Sequence, residues 1–108
     1  MIQTLNIKTL SVNEAWTGRR FKTQAYKDYE RAVLFMLPTL YIPKGKLRLE
    51  LVYGFSNKAS DIDNPTKSFQ DILSKKYGFN DNMIYELSIK KEIVKKGNEF
   101  VKFKIEAL

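Results

Sequence analysis

Residues 46–55 constrain the fold more than any other stretch. Leu47, Leu49, Leu51, Tyr53 and Phe55 take alternate positions, with Lys46, Arg48 and Glu50 between them. Successive side chains of a strand point to opposite sides, so this pattern predicts a strand with one buried and one wet face. A polar turn from Ser56 to Ser60 follows it. Asn64-Pro65 then reads as a helix N-cap followed by the first helical residue, where proline is well suited. The predicted helix runs to about Lys76, with Phe69, Ile72 and Leu73 on its apolar side and Gly78 near the position that ends helices.

The remaining elements follow from the same periodicities. Leu5 and Ile7 alternate with Thr4, Asn6 and Lys8, which predicts a strand over 2–9. Residues 10–22 show no period and read as a loop. Thr23 is a good N-cap for a helix over 24–37, in which Ala25, Tyr29, Ala32, Val33 and Met36 form one buried stripe. Lys27, Asp28, Glu30 and Arg31 fall mostly off that stripe and read as a solvated face. Pro38 and Pro43 end the helix. A strand starts at Ile84 and reaches about Val94, with Tyr85, Leu87 and Ile89 alternating. Lys95-Lys96-Gly97-Asn98 predicts a turn into a last strand carrying Val101, Phe103, Ile105 and Ala107, so that the chain closes on a β-hairpin. The order is β-α-β-α-β-β: one small mixed α/β domain of the α+β class over residues 1–108. A core this thin gains from dimerisation.

Charge and missing residue types narrow the chemistry. The net charge is +7, which favours an anionic partner, nucleic acid ahead of membrane. The chain has no cysteine and no histidine. Thiolate metal sites, the usual zinc sites, Ser-His-Asp triads and histidine bases are thereby excluded. No apolar run approaches a membrane span, and the N-terminus has neither a basic region nor an apolar signal core; the expected compartment is the cytoplasm. No G-x-x-x-x-G-K loop is present, so nucleotide hydrolysis of that kind is not expected, and neither is a small-molecule substrate.

Against this basic background one stretch concentrates acids. Asp61-Ile62-Asp63-Asn64-Pro65-Thr66-Lys67 is followed by Asp71 and then Asp81. Two acids two residues apart before a helix can project toward one point, and Asp81 can return to it. Three carboxylates suit Mg²⁺ or Mn²⁺. A metal relieves their mutual repulsion and activates water against a phosphate, and Lys67 on the first helical turn can neutralise charge developing there. A plainer reading keeps Asp63 or Asn64 as a helix cap and Lys67–Asp71 as an ion pair one turn apart. In the loop at 10–22, Arg19, Arg20 and Lys22 can hold phosphates, while Trp16 and Phe21 can either stack on a base or fill the core.

Asp61-Ile62-Asp63-Asn64-Pro65-Thr66-Lys67 with Asp71-Ile72-Leu73 resembles the D-x-D-N-x-x-K-x-x-x-D-x-L motif of the RusA family. These are small metal-dependent Holliday-junction resolvases common in phages and prophages. Asn80-Asp81-Asn82-Met83-Ile84, leading into Glu86 to Lys91, is similar to the family's D-D-x-Q-I segment and the strand after it. Ser11-Val12-Asn13 is similar to its P-S-x-N opening, which adds Asn13 to the candidate DNA-binding residues. The resemblance implies that Asp61, Asp63 and Asp81 bind Mg²⁺ or Mn²⁺, that Lys67 is catalytic, and that Asp71, with Asn64, has a supporting or structural role. Asn80 stands where the family has the first acid of its pair, and Met83 where it has glutamine; an alignment without a gap would put Asp81 on the first acid and Asn82 on the second. The implied activity is a homodimeric endonuclease that resolves four-way DNA junctions by paired nicks in recombination and repair, working in the cytoplasm (the host's, for a phage protein). The alternative is a branched-DNA-binding module with weakened catalysis.

Overall fold

The computed structural model describes residues 2–10, 16–17 and 21–108. Among the described residues the elements follow one another as β1 (Gln3–Leu5), β2 (Trp16–Thr17), β3 (Phe21–Lys22), α1 (Gln24–Met36), β4 (Leu47–Phe55), α2 (Thr66–Tyr77), a 3₁₀ turn (Asp81–Met83), β5 (Ile84–Ile93) and β6 (Phe100–Ala107). The predicted order of strands and helices holds. β2 and β3, inside the stretch read as a loop, form a small antiparallel pair with Trp16 opposite Lys22.

The strand predicted over 46–55 is the centre of the molecule. The main sheet has the order β1-β6-β4-β5, so β4 is paired on both sides. Leu47, Leu49, Leu51, Tyr53 and Phe55 are all buried. Leu49, Leu51, Tyr53 and Phe55 pack with Phe69, Ile72 and Leu73 of α2 and Tyr29 and Val33 of α1 in one core. A two-layer arrangement results, because a sheet with one apolar face must cover that face with something apolar. Phe69 meets Phe103 of β6 edge-on, ring centres 5.8 Å apart.

Three local expectations are corrected. The chain does not close on a β-hairpin: β6 pairs antiparallel with β4, and β5 pairs parallel with the other side of β4. The turn at 95–98 therefore carries the chain across the end of β4. Burial explains the exchange. Val101 and Phe103 are fully buried and need the interior position, whereas every residue of β5 is at least partly exposed. Second, α2 begins at Thr66 with Pro65 as N-cap, one residue later than predicted, and no side chain caps it. Successive tight turns do that work: Asn64 N–H donates to the Asp61 carbonyl and Thr66 N–H to that of Asp63, at 3.4 and 3.1 Å. Third, the buried stripe of α1 is Tyr26, Tyr29 and Val33, while Ala25 and Met36 are exposed. Thr23 does cap α1, accepting from the Tyr26 N–H at 3.1 Å. Gly78 ends α2 at φ +74°, a backbone region that strains residues with a Cβ. Among the described residues, no helix is long and apolar enough to cross a membrane.

Candidate functional site

All five motif residues lie in one crossover, β4-α2-β5. Asp61 and Asp63 occupy the turns between β4 and α2, Lys67 and Asp71 lie on α2, and Asp81 opens the 3₁₀ turn before β5. Two fixtures hold this crossover. The Tyr53 and Thr66 hydroxyls share a buried hydrogen bond of 2.9 Å that ties the start of α2 to the middle sheet strand. Burial pushes the Tyr53 hydroxyl pKa well up, so it stays protonated. The Lys91 ammonium, on β5, donates to the carbonyls of Lys58 and Ser60 at 3.3 and 3.0 Å and pins the loop that leads to Asp61.

The structure brings Lys67, Asp71 and Asp81 together. The Lys67 ammonium donates to Asp71 at 3.0 Å and to Asp81 at 3.1 Å, and the Ser74 hydroxyl donates to the other oxygen of Asp81 at 2.5 Å. Ser74 was not singled out from the sequence, although it shares a helix face with Lys67 and Asp71, seven and three residues before it. The Ser74 hydroxyl, followed by the Lys67 ammonium, holds the Asp81 carboxyl below the ordinary carboxylate range, against the opposing effect of partial burial. The hydrogen bonds to Asp71 and Asp81 raise Lys67 in turn.

Asp61 and Asp63 do not join this group. Both are exposed at the start of α2. Among the described residues, no three acidic side chains lie close enough together to hold one metal ion. The helix is the reason. Asp81 returns to the level of Ser74, and the rise from Thr66 to Ser74 is about 12 Å at 1.5 Å per residue. A single ion held by Asp61, Asp63 and Asp81 together does not fit this arrangement. A narrower set does: Mg²⁺ is commonly held by one or two carboxylates and completes its shell with water and substrate phosphate. Asp61 and Asp63 supply such hard, accessible oxygens.

Asp61 and Asn64 also line an open cavity of about 220 Å³ with Lys8, Asn57, Ser60 and Glu99. Glu99 is held below its ordinary pKa by its own N–H, the Ser56 hydroxyl and the Gly97 N–H. Lys8 and Glu99 come from connecting segments distant in sequence from Asp61, and no local motif marked them. Of the candidate DNA-binding residues, Asn13, Arg19 and Arg20 lie outside the described residues. Lys22 sits 3.4 Å from Glu30 of α1, with its ammonium 4.9 Å from the Tyr26 ring centre. Glu30 also bonds Lys75 of α2 at 3.2 Å, so Lys22 belongs to a bridge between elements as well as to the surface.

The Asp81 network predicts a pH dependence. A carboxyl whose pKa is lowered by folding stabilises the fold at pH above its unfolded value, ordinarily 3.8, and loses that contribution as pH falls through the lowered value. The melting temperature of Asp81→Asn should therefore lie below that of the parent at neutral pH. The gap should narrow as pH falls below about 4. Thermal melts from pH 7 to 2 check this; a gap that stays constant would remove Asp81 from the charged network.

Comparison with known proteins leaves the crossover to speak for itself: no family model matches the chain, and no curated protein matches it significantly.

Proposed function

We propose that the protein is a metal-dependent endonuclease that resolves four-way DNA junctions by paired nicks, acting as a homodimer. The observation that carries the reading is the lysine held between Asp71 and Asp81, on the first turn of the helix that follows the exposed Asp61 and Asp63, in a chain of net charge +7. The resemblance of these residues to the RusA motif supplies the substrate class.

Asp61 and Asp63 would hold the ion, which supplies an activated water and charge stabilisation at the scissile phosphate. Lys67 stands ready, protonated at neutral pH, to donate to a phosphate oxygen as negative charge builds there. Asp71 and Asp81 keep its long side chain extended along α2 until the phosphate competes for it. Ser74 keeps Asp81 ionised and oriented. The excess of lysine and arginine brings the DNA in, so affinity should fall steeply with salt. One chain holds one such cluster, and two nicks on a junction of near two-fold symmetry call for two.

A second reading is favoured by one observation: Asp81 is bonded to Lys67 and Ser74 rather than grouped with Asp61 and Asp63. A chain built this way can bind branched DNA while cutting it poorly. A labelled four-way junction, incubated with the protein with and without Mg²⁺ or Mn²⁺, separates the two. The expected result is metal-dependent, symmetry-related nicks and salt-sensitive binding without metal. Binding with no nicks in either metal would establish the binding module.

A further inference from the structure

β5 is a ten-residue strand at the edge of the main sheet, and among the described residues no strand pairs with its outer side. Its side chains are unusually open for a strand: Tyr85 is 58% exposed, Leu87 45% and Ile93 46%. A long open edge can take on another strand, and proteins usually blunt such edges with charged side chains, proline, bulges or a covering segment. β5 carries Glu86, Lys90, Lys91 and Glu92, so a second strand fits only in a register that matches its charges. β5 contains no proline, and its register with β4 slips only at the first step, between Leu47 and Arg48.

The register with β4 sorts the side chains of β5 onto two faces. Leu87 and Ile89 lie beside Leu49 and Leu51 on the helix-covered face; Glu86, Ser88, Lys90 and Glu92 lie beside Arg48, Glu50, Val52 and Gly54 on the open face. If a second copy pairs antiparallel with β5 about a two-fold axis normal to the sheet, each face continues into itself. Only residues of the same face can then stand opposite. The charges choose among the possible centres. Centring on Glu86 or Lys90 sets that charge against its own copy, and centring on Ile89 sets Glu86 against Glu92. Centring on Leu87 sets Glu86 against Ser88. Centring on Ser88 sets Glu86 against Lys90 twice and Leu87 against Ile89 twice. Opposite charges and apolar pairs directly across a ladder stabilise it, and like charges oppose it.

We infer that β5 is the dimer interface, pairing antiparallel with β5 of a second copy about Ser88 and joining the two sheets. Glu86 is compatible with this. Its Oε2 accepts from Arg48 at 2.6 Å within the chain, its side chain is 52% exposed, and its other oxygen is available to Lys90 of the second copy. The interface is isologous, as a two-fold dimer requires. It deepens the proposed homodimer but is argued from the strand alone, and its test uses neither DNA nor metal, so its failure is separate from failure of the nuclease reading.

The absence of cysteine makes the test direct. In a Ser88→Cys protein the two thiols would stand opposite each other across the ladder, with Cα atoms about 4.5–5.5 Å apart, within disulfide reach. In Glu92→Cys, on the same face of the same strand, they would be roughly 26 Å apart. Under mild oxidation Ser88→Cys should form covalent dimer at least about tenfold faster. In sedimentation equilibrium, Lys90→Glu should weaken the dimer about tenfold or more, since glutamates then face each other twice, and Glu86→Lys with Lys90→Glu should restore it. Equal cross-linking of the two thiols, a dimer indifferent to Lys90→Glu, or a parent that is monomeric at micromolar concentration would each overturn the assignment.

Discussion

Lys67→Ala should lower the rate of junction nicking by about 10²–10³-fold, the usual loss when one preorganised donor to a developing oxyanion is removed. Junction affinity should change little, since one lysine among the chain's 19 lysines and arginines is lost. Asp63→Asn should also lose nicking, because one of the two accessible carboxylates would no longer hold the ion. That variant should bind junction DNA without metal at least as well as the parent, with one acid fewer to repel phosphate. The plain structural reading gives another pattern. An exposed ion pair one turn apart contributes only about 0.3–0.5 kcal/mol, and a missing turn residue little more, so both variants would nick normally and melt slightly lower. Nicking rate, metal-free affinity and melting temperature on the same preparations distinguish the two. Normal nicking by folded Asp63→Asn would end the metal assignment, and normal nicking by Lys67→Ala would leave the lysine as surface structure.

Phe69→Ala should cost about 3–5 kcal/mol, the range for removing a fully buried ring and leaving a cavity. Phe69 is fully buried and sits between α2 and Phe103 of β6. For a domain of this size such a loss lowers the melting temperature on the order of 20 °C. It consumes much of a normal stability margin of roughly 5–15 kcal/mol. Phe69→Leu keeps most of the volume and should cost about 1.5 kcal/mol or less. Because Phe69 lies between Lys67 and Asp71 on α2, loosening it should also blur the Lys67–Asp81 contact. The pH-dependent gap between parent and Asp81→Asn, measured on the Phe69→Leu background, should shrink. Thermal melts decide; a fall of less than about 5 °C for Phe69→Ala would show that α2 is anchored elsewhere.

Much of the fold was legible because burial leaves a period. β4 alternates apolar and charged residues from Leu47 to Leu51, since one face meets the helices and the other is more open, and the pattern is lost where Tyr53, Gly54 and Phe55 are all buried. α2 shows Phe69, Ile72 and Leu73 at helical spacing and ends where Gly78 supplies a left-handed residue. Val101 and Phe103 marked β6 for the same reason. The clustering of acids around Lys67 was equally plain, because the crossover from β4 to β5 is continuous in sequence.

Contacts between distant segments leave no such trace. A turn at 95–98 fits a hairpin and a crossing of β4 equally well. Only competition for the buried place beside β4 decided it, and Val101 and Phe103 outweighed the charged β5. The stripe of α1 rotated to bury Tyr26, because what a helix buries depends on which neighbour it meets. Spacing along the chain brought Asp81 back toward Asp63, but the straight rise of α2 carried it to Ser74 instead. The motif thus specified which side chains share a crossover, and the length of one helix decided which of them touch.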